Sequence, residues 1–185
     1  MSKRNNQSDW KSLKHCIESQ DNRSLVALIK ELFELSTDNS DFIRARYADV
    51  EDALKRYKSI VSDAIYPDFM NDRRARIDFA TARRALSDFK RACDDPEKVL
   101  DLMIHYVEIG TRQANDICVD YESYYTSLES MFSSIIRMLA GKEKKYGTQY
   151  LPRLRQIARK ASDGYGYQDT LREMLEDMTV NGGRA

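Results

Sequence analysis

Residues 43–64 read IRARYADVEDALKRYKSIVSDA and residues 75–93 read ARIDFATARRALSDFKRAC. Apolar residues recur in both stretches at intervals of four and three, which is the spacing that lines one face of an α-helix. The spacing predicts one long helix from Ile43 to about Tyr66, where Pro67 should stop it, and a second helix from Ala75 to Cys93. The apolar positions are Ile43, Tyr47, Val50, Leu54, Tyr57, Val61 and Ala64 in the first stretch and Ala75, Phe79, Ala82, Leu86, Phe89 and Cys93 in the second.

The short connection between these two stretches predicts how they pack. A loop of about six residues, PDFMND at 67–72, should place the two helices side by side and antiparallel, crossing at a shallow angle of roughly 20°. The arginines of the second helix lie opposite its apolar face, so we expect Arg83 and Arg84 to point outward.

The rest of the chain also shows helical patterns. Trp10 should anchor a helix over 8–19, and the apolar face of a helix over 21–35 is wide enough to be buried on more than one side. Asp95 and Pro96 form a helix start, and Gly110 should end or kink that helix. Three further helices are predicted, over 120–140, 151–161 and 171–178.

Composition agrees with a helical fold. With seven Gly and three Pro among 185 residues, the chain has too few turn residues for a β-sandwich or barrel. The predicted class is all-α, an array of antiparallel αα-hairpins with about seven or eight helices, and the alternative is an irregular helical bundle. The expected organisation is a flexible N-terminus over 1–7, one helical domain over 8–178 and a flexible tail over 179–185.

Several stretches are similar, in order along the chain, to one family of bacterial helical domains to which no function is assigned. They are SLVALIKELFELSTDNSDFIRARY, LKRYKSIVSDAIYPDF, ALSDFKRACDDPEKVLDLMIHYVEIG, YESYYTSLESMF and LPRLRQIARKASDGYGYQDTLREM, and they span about 150 residues. The resemblance implies a bacterial, intracellular, helical protein. It carries no catalytic residues to this chain.

The sequence contains few features that would indicate export, membrane insertion or cofactor chemistry. No stretch approaches the roughly 20 apolar residues of a membrane span, and the N-terminus lacks a leader pattern. Three cysteines in no CxxC arrangement indicate a reducing cytoplasm, and Cys93 and Cys118 should be small core residues. We therefore expect no cofactor and no metal.

Charge is segregated along a chain whose formal net charge is zero. Residues 73–93 hold seven Arg or Lys against two Asp. Five of these cations form a predicted ridge that could bind the phosphate backbone of a nucleic acid, or an acidic protein: Arg76, Arg83, Arg84, Lys90 and Arg91. The basic loop 142–145 and the basic helix over 153–160 would extend it if they lay alongside, with Tyr146 and Tyr150 as stacking platforms. The alternative is a solvated face paired to neighbouring acids.

Two other groups of residues bear on function. His105 and Glu108 share one helical face and could begin a metal site, although a single His-x-x-Glu pair falls short of a ligand set. Tyrosines at 121, 124, 125, 165 and 167 could anchor a protein-binding face or bury their rings in the core. The favoured hypothesis is a non-enzymatic interaction module that binds another protein, with homo-oligomers possible. The alternatives are nucleic-acid or acidic-partner binding through 73–91 and an unrecognised metal-dependent enzyme.

Overall fold

The computed structural model describes residues 5–47, 49–141 and 143–182. These residues form helices and the connections between them, and no strand. Nine α-helices and two short 3-10 helices follow one another along these residues. The α-helices are α1 Asn5–Glu18, α2 Asn22–Leu35, α3 Thr37–Tyr47, α4 Val50–Ile65, α5 Phe79–Ala92, α6 Pro96–Ile117, α7 Glu122–Ala140, α8 Gly147–Lys160 and α9 Tyr167–Gly182. The all-α class is confirmed; the hairpin array stays a prediction.

The prediction of one long helix over 43–64 is wrong, because this stretch is divided between helices α3 and α4. Helix α3 ends at Tyr47, and Asp49 adopts an extended backbone with its carboxylate accepting a hydrogen bond from the Glu51 amide. This carboxylate caps the start of α4, so the apolar spacing continues across a break in the helix. The other end was predicted correctly, since α4 ends at Ile65, just before Tyr66 and Pro67.

The connection between α4 and α5 is longer than predicted and spans residues 66–78. Asp68 accepts hydrogen bonds from the amides of Met70 and Asn71, and Asp72 accepts one from the amide of Arg74. Such side-chain bonds to the local backbone favour turns over a helix. Helix α5 therefore begins at Phe79 instead of Ala75, and Asp78 caps it by accepting from the Thr81 amide.

Helices α4 and α5 pack side by side and antiparallel, as predicted. The rings of Tyr57 and Phe89 lie 5.1 Å apart between centroids, and the amide of Asp78 donates to the carbonyl of Ala64 at 2.8 Å. The apolar faces of both helices are buried, including Val61 and Ala82. The apolar spacing therefore identified the right pair of neighbours.

Helix α6 is the central element of the core. It packs against α4, α5, α7 and α8, and eleven of its 22 residues are buried. Gly110 lies within α6 and does not end the helix. It allows α7 to approach closely, because a Cβ at this position would overlap the Leu128 side chain. The hydroxyl of Tyr124 also donates to the Gly110 carbonyl at 2.7 Å.

The described residues form two units, divided between Ile43 and Arg44. The second unit contains the core just described. The first contains α1, α2 and the start of α3; there, no side chain from Trp10 to Ser40 is buried. Residues 5–7 and 179–182, expected to be flexible ends, are helical, whereas 1–4 and 183–185 lie outside the described residues.

Candidate functional site

The predicted basic ridge lies on the surface but does not form one row. Arg76 belongs to the connection 66–78, because α5 begins after it. The other four cations lie on α5, and all five side chains are exposed. Arg84 and Arg91 both contact the half-buried carboxylate of Asp88. Arg84 Nε lies 3.8 Å from Asp88 Oδ2, and Arg91 pairs with the other carboxylate oxygen. These two arginines are therefore partly neutralised within their own helix.

Arg83 turns towards α7 instead. Its Nη2 donates to Ser127 Oγ at 2.6 Å, and that oxygen also lies 3.0 Å from the buried hydroxyl of Tyr106. Burial raises the pKa of Tyr106, so the hydroxyl stays neutral. The guanidinium also stands 6.0 Å from the Phe79 ring centroid. Arg83 thus ties the exposed side of α5 to α7.

Lys90 lies beside an open groove of about 480 Å³ between α5, α6 and α7. We call this the Lys90 groove, defined by its lining residues Lys90, Met103, Ser134, Arg137, Met138 and Glu143. Lys90 was predicted to lie on the ridge, but its position on the same groove as Arg137 was not predicted. The two residues are distant in sequence, and only the packing of α5 and α7 onto α6 brings them to one groove.

The predicted extension of the ridge by α8 is not supported for Arg153. This arginine is half-buried, and its Nε and Nη2 each donate to Glu108 at 2.5 Å, while Nη1 donates to Asp101. Lys58 on α4 donates to the other oxygen of Asp101 at 2.6 Å. Acids on α6 therefore bind these cations and hold α4 and α8 in place.

His105 and Glu108 do not converge on a metal. Glu108 is bound to Arg153, and His105 Nε2 lies 2.8 Å from Ser62 Oγ and 3.2 Å from the Lys58 carbonyl. Burial lowers the pKa of His105, which favours the neutral ring. A proton on Nε2 that donates to the Lys58 carbonyl leaves that nitrogen no lone pair to activate Ser62. Across the described residues, no group of three or more His, Cys, Asp or Glu could hold a metal ion.

Most of the tyrosines considered as protein-binding anchors belong to the core. Tyr124, Tyr125 and Tyr167 are buried, and their hydroxyls bond to the Gly110 carbonyl, the Val119 carbonyl and Thr111. Only Tyr121 and Tyr165 of this group are exposed. The ring of the buried Tyr125 contacts Tyr124 edge-on at 5.5 Å between centroids and Tyr167 at 5.4 Å, so these tyrosines fill the core while each hydroxyl still finds a partner.

Two smaller predictions, for Tyr150 and Cys118, also need correction. Tyr150 is buried, so it offers no stacking platform, and Tyr146 is half-buried with the Lys145 ammonium 4.7 Å from its ring centroid. Cys93 is buried as expected. Cys118 is exposed instead; it follows the last residue of α6 and has a left-handed backbone (φ 48°).

The first unit presents a different surface, made of apolar side chains in water. Helix α2 carries its apolar residues on one face, yet none of its side chains is buried. Val26 is 66% and Leu35 75% exposed, and on α1 Trp10 is 56% exposed, although it was predicted to be an anchor. We define the α2 face as Leu25, Val26, Leu28, Ile29, Leu32, Phe33 and Leu35.

Comparison of the chain with protein-family models, with curated proteins and with solved structures gives no match. The resemblance to a bacterial helical family therefore stays a prediction. Among the described helices, none combines the length and the apolar character needed to cross a membrane.

Proposed function

We propose that this chain is a protein-interaction module whose α2 face binds an amphipathic helix of another protein. The observation that supports the proposal is the exposure of that face. Helix α2 has 14 residues, a length at which an isolated helix is only marginally stable in water. Most helical stability in proteins comes from packing an apolar face, so we expect a binding partner to bury the α2 face.

The size of the α2 face suits a protein partner. Its large side chains are between 41% and 75% exposed, apart from the half-buried Leu25 and Phe33. For side chains of this size, such exposures leave on the order of a few hundred Å² of apolar surface in water. The largest apolar patch of a typical monomer is roughly 300–600 Å², and each partner of a standard interface buries about 800 Å². Partner contacts from α1, where Leu13 is also exposed, would complete such an interface.

The spacing of the leucines indicates what kind of surface fits. Leu25, Leu28, Leu32 and Leu35 follow one another at intervals of three, four and three, the a and d positions of two heptads. Ile29 widens the stripe beyond a two-helix seam, as in helices that pack against more than one neighbour. A helix, or a helix pair, with a matching apolar stripe would fill this surface.

Photo-crosslinking at single positions of the full chain tests the proposal. A photoreactive residue replaces Ile29 or Leu32 on the α2 face, or Lys30 or Glu34 on the opposite face, as matched controls. After irradiation in the native cell, we expect one defined protein adduct from positions 29 and 32 and none from positions 30 and 34. Equal yields from all four positions, or no adduct from any, would contradict the proposal. An adduct between two copies would assign the face to self-association instead.

Binding of a nucleic acid through residues 73–91 is a second candidate. Seven exposed cations in this segment favour it: Arg73, Arg74, Arg76, Arg83, Arg84, Lys90 and Arg91. The charge reversal Arg83→Glu with Arg84→Glu should weaken retention of single-stranded RNA in filter binding at low salt, and it should flatten the salt dependence. The matched control reverses Arg155 and Arg159 on α8. No retention at low salt, or equal loss in both double variants, would remove this candidate.

A further inference from the structure

The Lys90 groove is lined by two cations, Lys90 and Arg137, that form no ion pair with the described residues. Lys90 has no ion pair or hydrogen bond to its ammonium within the described parts of the chain. Arg137 donates one hydrogen bond to Ser134 Oγ at 3.1 Å, which leaves most of its N–H groups available. Glu143 is the single acid in this lining, and no ion pair joins it to either cation. Two positive charges thus face the groove against one negative charge.

The position of Arg137 is held by its own helix. Ser134 Oγ donates to the Ser130 carbonyl at 2.9 Å, so its lone pairs remain to accept the bond from Arg137 Nη2. This hydrogen bond favours one conformation of the exposed Arg137 side chain, which lowers the cost of ordering it when a ligand binds.

The apolar part of the groove consists of two methionines. Met103 on α6 is buried at the base, and Met138 on α7 is half-buried. Methionine side chains adapt to ligand shape and contact flat rings favourably through sulfur. A volume of about 480 Å³ is within the range of small-molecule sites, which is roughly 300–1,000 Å³.

We propose that the Lys90 groove binds an organic phosphate monoester, with Lys90 and Arg137 on the phosphate and Met103 and Met138 against the apolar body. A phosphate monoester carries about two negative charges at neutral pH and three acceptor oxygens. Two cations with several N–H donors match that charge and that number of oxygens. This binding site is independent of the α2 face.

A purely structural role for the two cations is the competing explanation. Lys90 and Arg137 lie in the last turns of α5 and α7, where the helix dipole favours positive charge. That role requires no ligand, and a cation in a last turn would serve it equally well if it faced away from the groove. Arg91 is such a cation, because it contacts Asp88.

Isothermal titration calorimetry of the full chain at low salt tests the proposal, with AMP and inorganic phosphate as the probes. We expect AMP to bind, and to bind more tightly than inorganic phosphate because its base contacts the methionines. Lys90→Glu and Arg137→Glu should each weaken AMP binding by at least about tenfold. Glu143→Gln should tighten it a few-fold, since the substitution removes a like charge from the groove.

Arg91→Glu is the matched control, with the same charge change one residue from Lys90, and it should leave AMP affinity within about twofold. Circular dichroism confirms that each variant is folded. The absence of heat with millimolar AMP overturns the proposal. So does an equal loss of affinity in Arg91→Glu and Lys90→Glu, which would indicate a general charge effect. Equal affinity for AMP and inorganic phosphate overturns the organic part and identifies free phosphate as the ligand.

Discussion

Arg153 on α8 and Glu108 on α6 form a two-bond ion pair, in which Nε and Nη2 each donate to one carboxylate oxygen at 2.5 Å. The remaining nitrogen of the same guanidinium, Nη1, donates to Asp101, which also accepts from Lys58. One side chain therefore links α8 to α6, and through Asp101 the connection reaches α4. All four groups are at most about a third exposed, so their charges depend on one another more than a surface pair would.

Removal of the Arg153 charge should destabilise the core. Arg153→Met keeps an apolar stem of similar length but leaves Glu108 without its cation and Asp101 with Lys58 alone. We expect the free energy of unfolding to fall by about 2–4 kcal/mol, somewhat less than for a fully buried pair because water reaches these groups. Urea denaturation measures the change. Arg155→Met, at an exposed position of the same helix, should change it by less than about 0.5 kcal/mol. Equal effects of the two variants would contradict a structural role for the network.

The contribution of Asp101 should depend on pH. Burial alone would raise the pKa of Asp101, but hydrogen bonds from Lys58 and Arg153 outweigh burial and hold the pKa below its usual value. A carboxylate with a lowered pKa stabilises the fold above its unfolded-state pKa, and this stability is lost as pH falls through the folded-state pKa. The stability difference between the wild type and Asp101→Asn should therefore be full at pH 7 and shrink below about pH 4. Chemical denaturation at each pH measures it, and a constant difference from pH 7 to pH 2.5 would contradict the assignment.

The apolar periodicity of the sequence was sufficient to predict that α4 and α5 pack against each other. Tyr57, Val61, Leu86 and Phe89 were placed on facing stripes, and the structure packs these stripes together. Periodicity describes only which face of a helix is apolar. Periodicity did not predict that Asp49 would cap a new helix. The carboxylate of Asp49 accepts from the Glu51 amide without changing the spacing of the apolar residues before and after it.

The charged and aromatic residues were harder to place from the sequence. Arg153 and Arg155 stand two residues apart in one basic helix, yet the first is half-buried between acids of α6 and the second is exposed. Which of two arginines is neutralised depends on the neighbouring helix and its register, which a single sequence does not determine. The same applies to Tyr165 and Tyr167, of which only the second is buried against Thr111.

The close approach of α6 and α7 should make Gly110 intolerant of a side chain. In Gly110→Ala the new methyl group would overlap the Leu128 side chain, and either the leucine or the helix pair must shift. We expect a loss of roughly 1–3 kcal/mol in the free energy of unfolding. Gly147→Ala is the matched control, since a Cβ there meets no atom within 4 Å and the backbone is helical. That variant should be neutral or slightly stabilising, and an equal loss in both variants would show that the Leu128 contact is not the cause.

Hydrogen exchange should show that α2 opens far more readily than a helix of equal length in the core. Helices α2 and α5 both have 14 residues, but α5 buries Ala82, Leu86 and Phe89 whereas α2 buries nothing. Local opening costs little where few apolar contacts are lost, and it approaches the full free energy of unfolding in a packed helix. The central amides of α2 should therefore be protected by no more than about tenfold, and those of α5 by on the order of 10³ or more.

The comparison with α5 separates burial from helix length, because both helices have 14 residues and the same number of backbone hydrogen bonds to break. Asp21 also caps α2 through the Ser24 amide, just as Asp78 caps α5 through the Thr81 amide, so a difference in capping does not explain a difference in exchange. Binding of the α2 face should raise protection in α2 and leave α5 unchanged. Equal protection in the two helices of the purified chain would mean that the α2 face is already covered, and the proposed interaction surface would then be wrong.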